Sequence, residues 1–305
     1  MNGEPMVGEL GFPEYFADAE KSFKEADYVI FGVPYDRTGS FRKGTALGPR
    51  GIREGSWNFE PFNPRAGVEF PTVAINDFGD IDTNNEDTPE QMVEKVYEQA
   101  KYVADAGKFP VMLGGEHNAT PGVVRALAGR YPDLGVIFID AHIDYRDEYR
   151  GSRNNHACAS MRSSDDVDVK RIISYGLRSF GKEEYDEADA NGFRYYSGFV
   201  VKERGIEKTL DEGIAYLEKN GARHIYLSLD IDGLDPAYAP GTGTPEPFGL
   251  TDWDVLRIIE RTAPMLVGFD VMEVCPPYDN GNTAALAAKL VREVISFVEA
   301  SKRKK

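Results

Sequence analysis

Phe138-Ile139-Asp140-Ala141-His142-Ile143-Asp144 is the stretch from which the rest of the chain can be read. The apolar run Gly135 to Ile139 stops abruptly at three ligand-type side chains spaced two apart. A run that is apolar at consecutive positions fits a strand covered on both faces, as in a parallel sheet. At the carboxyl end of such a strand the chain leaves the sheet, and open α/β sheets place their ligands there. Residues two apart point the same way while strand geometry lasts, so Asp140, His142 and Asp144 can face one space. Three ionisable groups in one space repel one another or lack solvation unless a cation neutralises them. Ile225-Tyr226-Leu227-Ser228-Leu229 repeats the pattern and ends in Asp230-Ile231-Asp232. Two apolar runs ending in acidic clusters point to a metal site, and to two metals rather than one.

Outward from these runs, Ala26–Val33, Thr72–Ile75, Phe109–Leu113, Arg171–Tyr175 and Met265–Phe269 read as further strands. Asp87-Thr88-Pro89-Glu90 opens a helix to about Ala106, with Met92, Val93, Val96, Ala100 and Val103 as its apolar stripe. Ala119–Arg130, Ile206–Lys219, Thr251–Arg261 and Thr283–Ala300 also carry helical patterns, and Gly48–Glu54 can open a short one. Asp77–Asn85 reads as an acidic loop and Lys302–Lys305 as a frayed basic tail. The glycine-containing segment Arg37–Arg50 suits a loop held over a pocket, and polar Asp144–Arg153 one that crosses its mouth. Gly233–Pro247, with four prolines and three glycines, must follow a restricted path. Short apolar strands alternating with amphipathic helices predict an α/β fold, a three-layer α-β-α arrangement with a mainly parallel central sheet. No repeat of fixed period and no low-complexity linker interrupts it, so residues 1–305 read as a single domain.

Thirty-five basic and 51 acidic residues give a net charge of -16, which argues against a nucleic-acid partner and favours cationic ligands. Cys158 and Cys275 are too few for a disulfide framework and fit a reducing compartment. Met1–Tyr15 lacks the basic-then-apolar order of a signal peptide, and no segment has the length of apolar residues that crosses a membrane. A cytoplasmic protein is the expectation.

Three of the four histidines, His117, His142 and His156, stand in suggestive places. His117 follows Gly114-Gly115, which permit a tight turn and a close backbone approach. Alone, Gly-Gly-Glu-His is more often a turn, and Asp-x-Asp after a strand more often a helix cap. Their coincidence at the same predicted end of several strands shifts the balance to metal. Carboxylates with one or two imidazoles suit Mn²⁺, Fe²⁺, Co²⁺ or Zn²⁺, whereas no Cys-x-x-Cys offers a structural zinc site. Neither a Walker lysine loop nor a Rossmann glycine fingerprint is present.

Gly114-Gly115-Glu116-His117, Asp140-Ala141-His142-Ile143-Asp144, Ser228 to Pro236 and Gly241-Thr242-Gly243-Thr244-Pro245-Glu246 together resemble the ureohydrolase family of arginases, agmatinases and their guanidino-acid relatives. The likeness runs from Phe31 to the last helix. It implies two metals per subunit, normally Mn²⁺, bridged by water or hydroxide. His117 and Asp144 would bind the first, His142 and Asp232 the second, and Asp140 and Asp230 both. His156 matches the family's proton-shuttling histidine, and Glu273 the carboxylate that holds the guanidinium group. Glu116 stands where the family often has aspartate, at a position that is not a ligand. A trimer or hexamer is implied as well.

The chemistry agrees with this assignment. A guanidinium carbon is a poor electrophile, so attack needs hydroxide, and two cations roughly 3.5–4 Å apart lower the pKa of a shared water. The departing amine needs a proton, which suits a histidine near neutral pKa. Tyr145-Arg146-Asp147-Glu148-Tyr149 and Asp270 to Asp279 look like the agmatinase branch. Agmatine, a small dication, fits the acidic chain and the mouth residues Asp147 and Glu148. Arg146 would instead pair with those two acids, or bind the carboxylate of a guanidino acid such as guanidinobutyrate. Arginine or aminopropyl-agmatine as substrate, and a non-catalytic scaffold role, are compatible with the same sequence.

Overall fold

The computed structural model describes residues 14–83 and 87–303. Strand β1 (Tyr28–Val33) leads into helix α1 (Gly48–Ser56), and a small antiparallel pair, β2 (Phe62–Asn63) with β3 (Val68–Glu69), precedes β4 (Ile75–Asp80). Next come α2 (Pro89–Asp105), β5 (Phe109–Gly114), α3 (Thr120–Arg130), β6 (Leu134–Ile139) and α4 (Ala159–Ser163). They are followed by β7 (Ile172–Tyr175), α5 (Lys182–Ala190), β8 (Arg194–Tyr196), α6 (Gly198–Arg204) and α7 (Ile206–Lys219). β9 (His224–Asp230), α8 (Asp252–Thr262), β10 (Leu266–Met272) and α9 (Asn282–Lys302) complete the order.

Eight strands form one sheet in the order β4-β1-β5-β10-β9-β6-β7-β8, and each neighbouring pair in it is parallel. Every residue of β1, β5 and β6 is buried, which is why their sequences lack polar alternation. Alternate side chains feed two cores. Ile137 and Ile139 of β6 pack in the layer built with α7, α8 and α9, while Val136 and Phe138 face the layer of α2 and α3. The three-layer α/β/α arrangement is the one expected.

The helix starts follow their local chemistry. Thr88 caps α2, its hydroxyl accepting from the Gln91 amide (3.3 Å) while Gln91 Oε1 accepts from the Thr88 amide (2.8 Å). Thr251 and Asp254 form the same reciprocal cap on α8.

One strand is misplaced by the sequence reading. Thr72–Ile75 is not a strand; residues 70–72 form a 3₁₀ turn, and β4 begins at Ile75 and runs into the acidic segment read as loop. Phe70 and Val73 owe their apolar character to burial in the core, not to sheet pairing. β4 lies at the sheet edge, so it tolerates acids, and its Asp77 is held by buried Arg53 (2.7 and 2.9 Å). The short elements β8, α4, α5 and α6 are additions to the expected pattern. Lys302 belongs to α9, and residues 304–305 of the expected tail lie outside the described residues.

For function the central four strands matter most. β5, β10, β9 and β6 are neighbours and parallel, so their carboxyl ends open along one edge of the sheet. Every residue the sequence proposes as a metal ligand leaves one of these ends.

Candidate binuclear metal centre

His117 enters this edge from β5 and is buried, 1% exposed. Its Nδ1 lies 3.1 Å from Asp140, 3.2 Å from Asp230 and 3.5 Å from Asp144. The turn that delivers it needs glycine: a Cβ on Gly115 would stand 2.0 Å from the Tyr35 carbonyl oxygen. On the other ring nitrogen, Nε2 meets Ser228 Oγ at 3.0 Å. Ser228 neighbours Thr120 (3.4 Å), whose hydroxyl donates to fully buried Asp270 (2.7 Å), and Tyr226 donates to the same carboxylate oxygen (2.5 Å). This chain of hydroxyls fixes the ring from behind and leaves Nδ1 towards the carboxylates.

His142 occupies the second half of the cluster. Its Nδ1 lies 3.1 Å from Asp232 and 3.7 Å from Asp140. Backbone amides hold the carboxylates in place. The His142 amide donates to Asp140 (2.7 Å), the Ala141 amide to Asp232 (3.1 Å) and the Asp232 amide to Asp230 (2.9 Å). Thr244, from the proline-rich loop after β9, donates to the remaining Asp232 oxygen (3.0 Å).

His117 Nδ1 is buried with no hydrogen-bond partner in line, although three carboxylates surround it. An unpartnered buried nitrogen among anions is a costly arrangement without a cation between them. The groups His117–Asp140–Asp144 and Asp140–His142–Asp232 each bring their ligand atoms within 4.8 Å of one another and share Asp140. A nitrogen-and-oxygen donor set of this kind fits two divalent metals. Titration agrees: burial lowers both imidazoles, but the facing carboxylates outweigh it and raise them well above normal. Burial and then the neighbouring acids push Asp230 up strongly and Asp144 to about 7. Asp232 goes the other way, because His142 and the amide donors overcome its burial. These opposed shifts mark a cluster that demands positive charge.

Two residues that line the cavity adopt left-handed backbone that L side chains avoid, Asp144 (φ 49) and Glu273 (φ 62). Such positions cost about 1–3 kcal/mol and persist only where surrounding structure over-determines them. The Asp144 carbonyl accepts from the amides of Ser160 (3.1 Å) and Met161 (3.2 Å) in α4, and the Glu273 amide donates to Gly115 (2.9 Å). The two kinks turn both carboxylates into the cavity that His142, Asp230, Asp232 and His156 also line. Glu273 accepts from the His117 amide (2.9 Å), and burial, then nearby Glu116, raises it to about 8.

His156 begins a short turn before α4, where Asn155 caps the Ala157 amide (3.2 Å). Burial and then the charge of His142 lower its pKa to about 4. Burial thus favours the neutral form of the ring. The mouth differs from its sequence reading. Arg146 lines the cavity, with Nε donating to Glu184 (3.2 Å) and its guanidinium over Tyr149 (4.5 Å). Asp147 and Glu148 line an adjoining surface depression instead, and Asp147 is taken by Arg153 (2.8 Å) and Arg162 (2.7 Å). Glu184 accepts from the Tyr145 (3.0 Å) and Gly181 (3.1 Å) amides.

Residues 26–296 match the Arginase family. The chain belongs to that family. It is 37% identical over 284 residues to an agmatinase of Bacillus anthracis, covering 92% of this chain and 94% of the relative. With a guanidinobutyrase of Pseudomonas aeruginosa it shares 35% over 295 residues, 94% and 90% of the two chains. The crystal structure of agmatine ureohydrolase of Thermoplasma volcanium superposes with a TM-score of 0.89 at 40% identity, covering 97% of each chain. For an arginase-family chain, the His/Asp cluster is the binuclear metal site, and the substrate is a small guanidino compound. The family resemblance read from four short motifs thus holds over almost the whole fold.

Several contributors have no mark in the sequence. Ser228 sits inside a motif, yet its spacing gives it no role; Thr244 and Glu184 have none either. Each acts through a partner distant in the chain, and only the hydrophobic-run-then-acid signal marks a residue locally. Among the described residues no helix is long and apolar enough to cross a membrane.

Proposed function

We propose that this chain is a single-domain, manganese-dependent amidinohydrolase that cleaves agmatine to putrescine and urea. The observation that carries the reading is the unpartnered Nδ1 of His117 facing Asp140, Asp144 and Asp230, two of which line a cavity together with Glu273. His117 and Asp144 would hold one metal and His142 and Asp232 the other, with Asp140 and Asp230 shared. Mn²⁺ is the proposed ion, and Fe²⁺, Co²⁺ or Zn²⁺ are compatible with the same donors. When bound, two such ions supply the charge that makes water nucleophilic at neutral pH.

The chain's own side chains provide the rest. Glu273 has one oxygen tied to the His117 amide and the other beside Gly243, facing a space where a planar cation can be held by paired hydrogen bonds. A guanidinium there meets the demand for positive charge that burial creates at this carboxylate. His156, at the cavity wall, would take up a proton and deliver it to the leaving amine, returning to its neutral form. Left-handed Asp144 and Glu273 keep their carboxylates in place before substrate arrives, so no reorganisation accompanies the reaction.

A guanidino acid is the second reading, favoured by one observation. Arg146 lines the cavity and pairs with Glu184 through Nε (3.2 Å), not with Asp147, which Arg153 and Arg162 hold. Urea release from agmatine, guanidinobutyrate, arginine and aminopropyl-agmatine after Mn²⁺ loading tests both. Highest kcat/KM on agmatine supports the proposal, preference for guanidinobutyrate selects the second reading, and no urea from any of them rejects both in favour of a scaffold role. A trimer or hexamer is proposed for the assembly, and light scattering on the purified protein measures it.

A further inference from the structure

The loop after β1 carries no residue with a role so far, yet it is anchored beside the metal centre. The Thr38 amide donates to both oxygens of Glu116 (3.0 and 2.8 Å), and the Gly39 amide to one of them (2.8 Å). Glu116 is 1% exposed, directly precedes His117, and its own amide donates to the Tyr35 carbonyl (2.9 Å). Backbone donors are thus what a buried carboxylate receives here, and the tie between the exits of β1 and β5 fixes Thr38 in space. From that point its hydroxyl reaches the other side of the cavity. Thr38 Oγ1 accepts from the His156 amide (3.0 Å) and lies 3.2 Å from His156 Nδ1. Ser40, two residues on, lines the same cavity as His156.

We propose that Thr38 is a positioning residue for His156, its hydroxyl setting the orientation of the ring and the nitrogen on which the proton resides. A hydroxyl has one proton and two lone pairs. The His156 amide occupies one lone pair. With a neutral ring the O–H donates to Nδ1, and the ring proton stays on Nε2. With a doubly protonated ring the hydroxyl turns, and Nδ1–H donates to the second lone pair. Both states remain paired, so the ring can take up and release a proton without leaving a buried nitrogen unsatisfied. The inference uses the amidinohydrolase reading for what His156 does, not for how Thr38 holds it.

Two near-isosteric changes separate hydroxyl from shape. Thr38→Val keeps the branched shape and removes the hydroxyl; Thr38→Ser keeps the hydroxyl and loses a methyl. The expectation is a kcat lowered about 10–100-fold in T38V, with KM and bound metal little changed, and near-wild-type kcat in T38S. In a His156→Asn background T38V adds no further loss, because the two residues act as one unit. A readout independent of turnover is the pair of ¹⁵N ring shifts of His156, assigned by their loss in H156N. Wild type and T38S show protonation at Nε2, and T38V redistributes it. Unchanged kcat in T38V, a larger loss in T38S than in T38V, or a wild-type ring protonated at Nδ1 overturns the proposal. If no guanidino compound yields urea, the proposed function fails, while the ring shifts still decide on Thr38. If T38V does not fold, the wild-type and T38S ring shifts decide alone.

Discussion

The floor of the cavity and its mouth are built on opposite terms. On the floor, His117 and Asp232 are 1% exposed; the Ser228 hydroxyl meets the His117 ring, and the Ala141 amide and Thr244 hydroxyl hold the Asp232 carboxylate. At the mouth, Asp147 and Arg153 have side chains 60% and 56% exposed, and they meet in an ion pair that water competes with. Charge on the floor lacks solvent and must be answered by a cation; charge at the mouth is already answered by water and by neighbours. The same residue types therefore signal chemistry in one place and little in the other. Even within the floor a gradient exists, since the His142 side chain is 25% exposed against 1% for His117.

Changes at the floor should dominate. Asp140→Ala removes the carboxylate shared by both candidate metal groups, so bound metal falls from two ions and kcat/KM drops by at least about 1000-fold, the several kcal/mol that metal charge contributes. Elemental analysis with steady-state kinetics checks this, and a variant that keeps both ions would break the assignment of Asp140. In the wild type, excess metal at about 100 times its Kd adds about 2.7 kcal/mol to folding. A chelator should accordingly lower Tm in the wild type and leave Asp140→Ala nearly unmoved.

His156→Asn stands next, at the wall between floor and mouth. Metal content should be retained while kcat falls about 100-fold, within the usual range for a lost proton-transfer group. Unaltered turnover would move His156 out of the chemistry. Ser228→Ala removes the hydroxyl behind His117 without touching the cavity. Metal affinity should weaken about tenfold, measurable by competition with a chromogenic chelator.

The smallest effect belongs to the mouth. Asp147→Asn breaks an exposed ion pair with Arg153, worth about 0–1 kcal/mol, while buried Arg162 keeps Asp165 (3.0 Å), so KM for agmatine should move less than about threefold. A tenfold rise would bring Asp147 into substrate binding and narrow the contrast drawn above.

The pH dependence of stability offers a separate check on His156. The unfolded ring titrates near its ordinary 6.5, whereas the folded one is held down to about 4 by burial and then by His142. Between those values the unfolded chain binds more protons, so this group's contribution is complete above about 6.5 and is lost as pH falls towards about 4. Denaturant titrations of wild type and H156N should diverge in slope within that window and run parallel above it. Parallel curves throughout would mean that the ring is not held neutral by the fold.

Much of the floor is legible in the sequence because its signal is local. An apolar run that ends in Asp-x-His or Asp-x-Asp marks a strand, its direction and its ligands together, and β6 and β9 obey that rule within one residue. The edge strand β4 does not, because burial of Phe70 and Val73 in a 3₁₀ turn mimics a strand while the true strand carries acids. The mouth is the least legible part, since the Tyr145 amide and Arg146 are both held by Glu184, which lies 38 residues beyond Arg146.

By itself, the sequence determined the alternation of strands and helices, the parallel sheet and the set of carboxylates and imidazoles that need a cation, because covered strands and unsolvated charges leave compositional marks. Only the tertiary structure decided which of those groups meet. It placed β5, β10, β9 and β6 side by side, turned Asp144 and Glu273 inward through left-handed backbone, and set Thr38 against His156 across 118 residues. Those contacts depend on distances between remote segments and on backbone angles, and neither is encoded in the identity of a residue and its immediate neighbours.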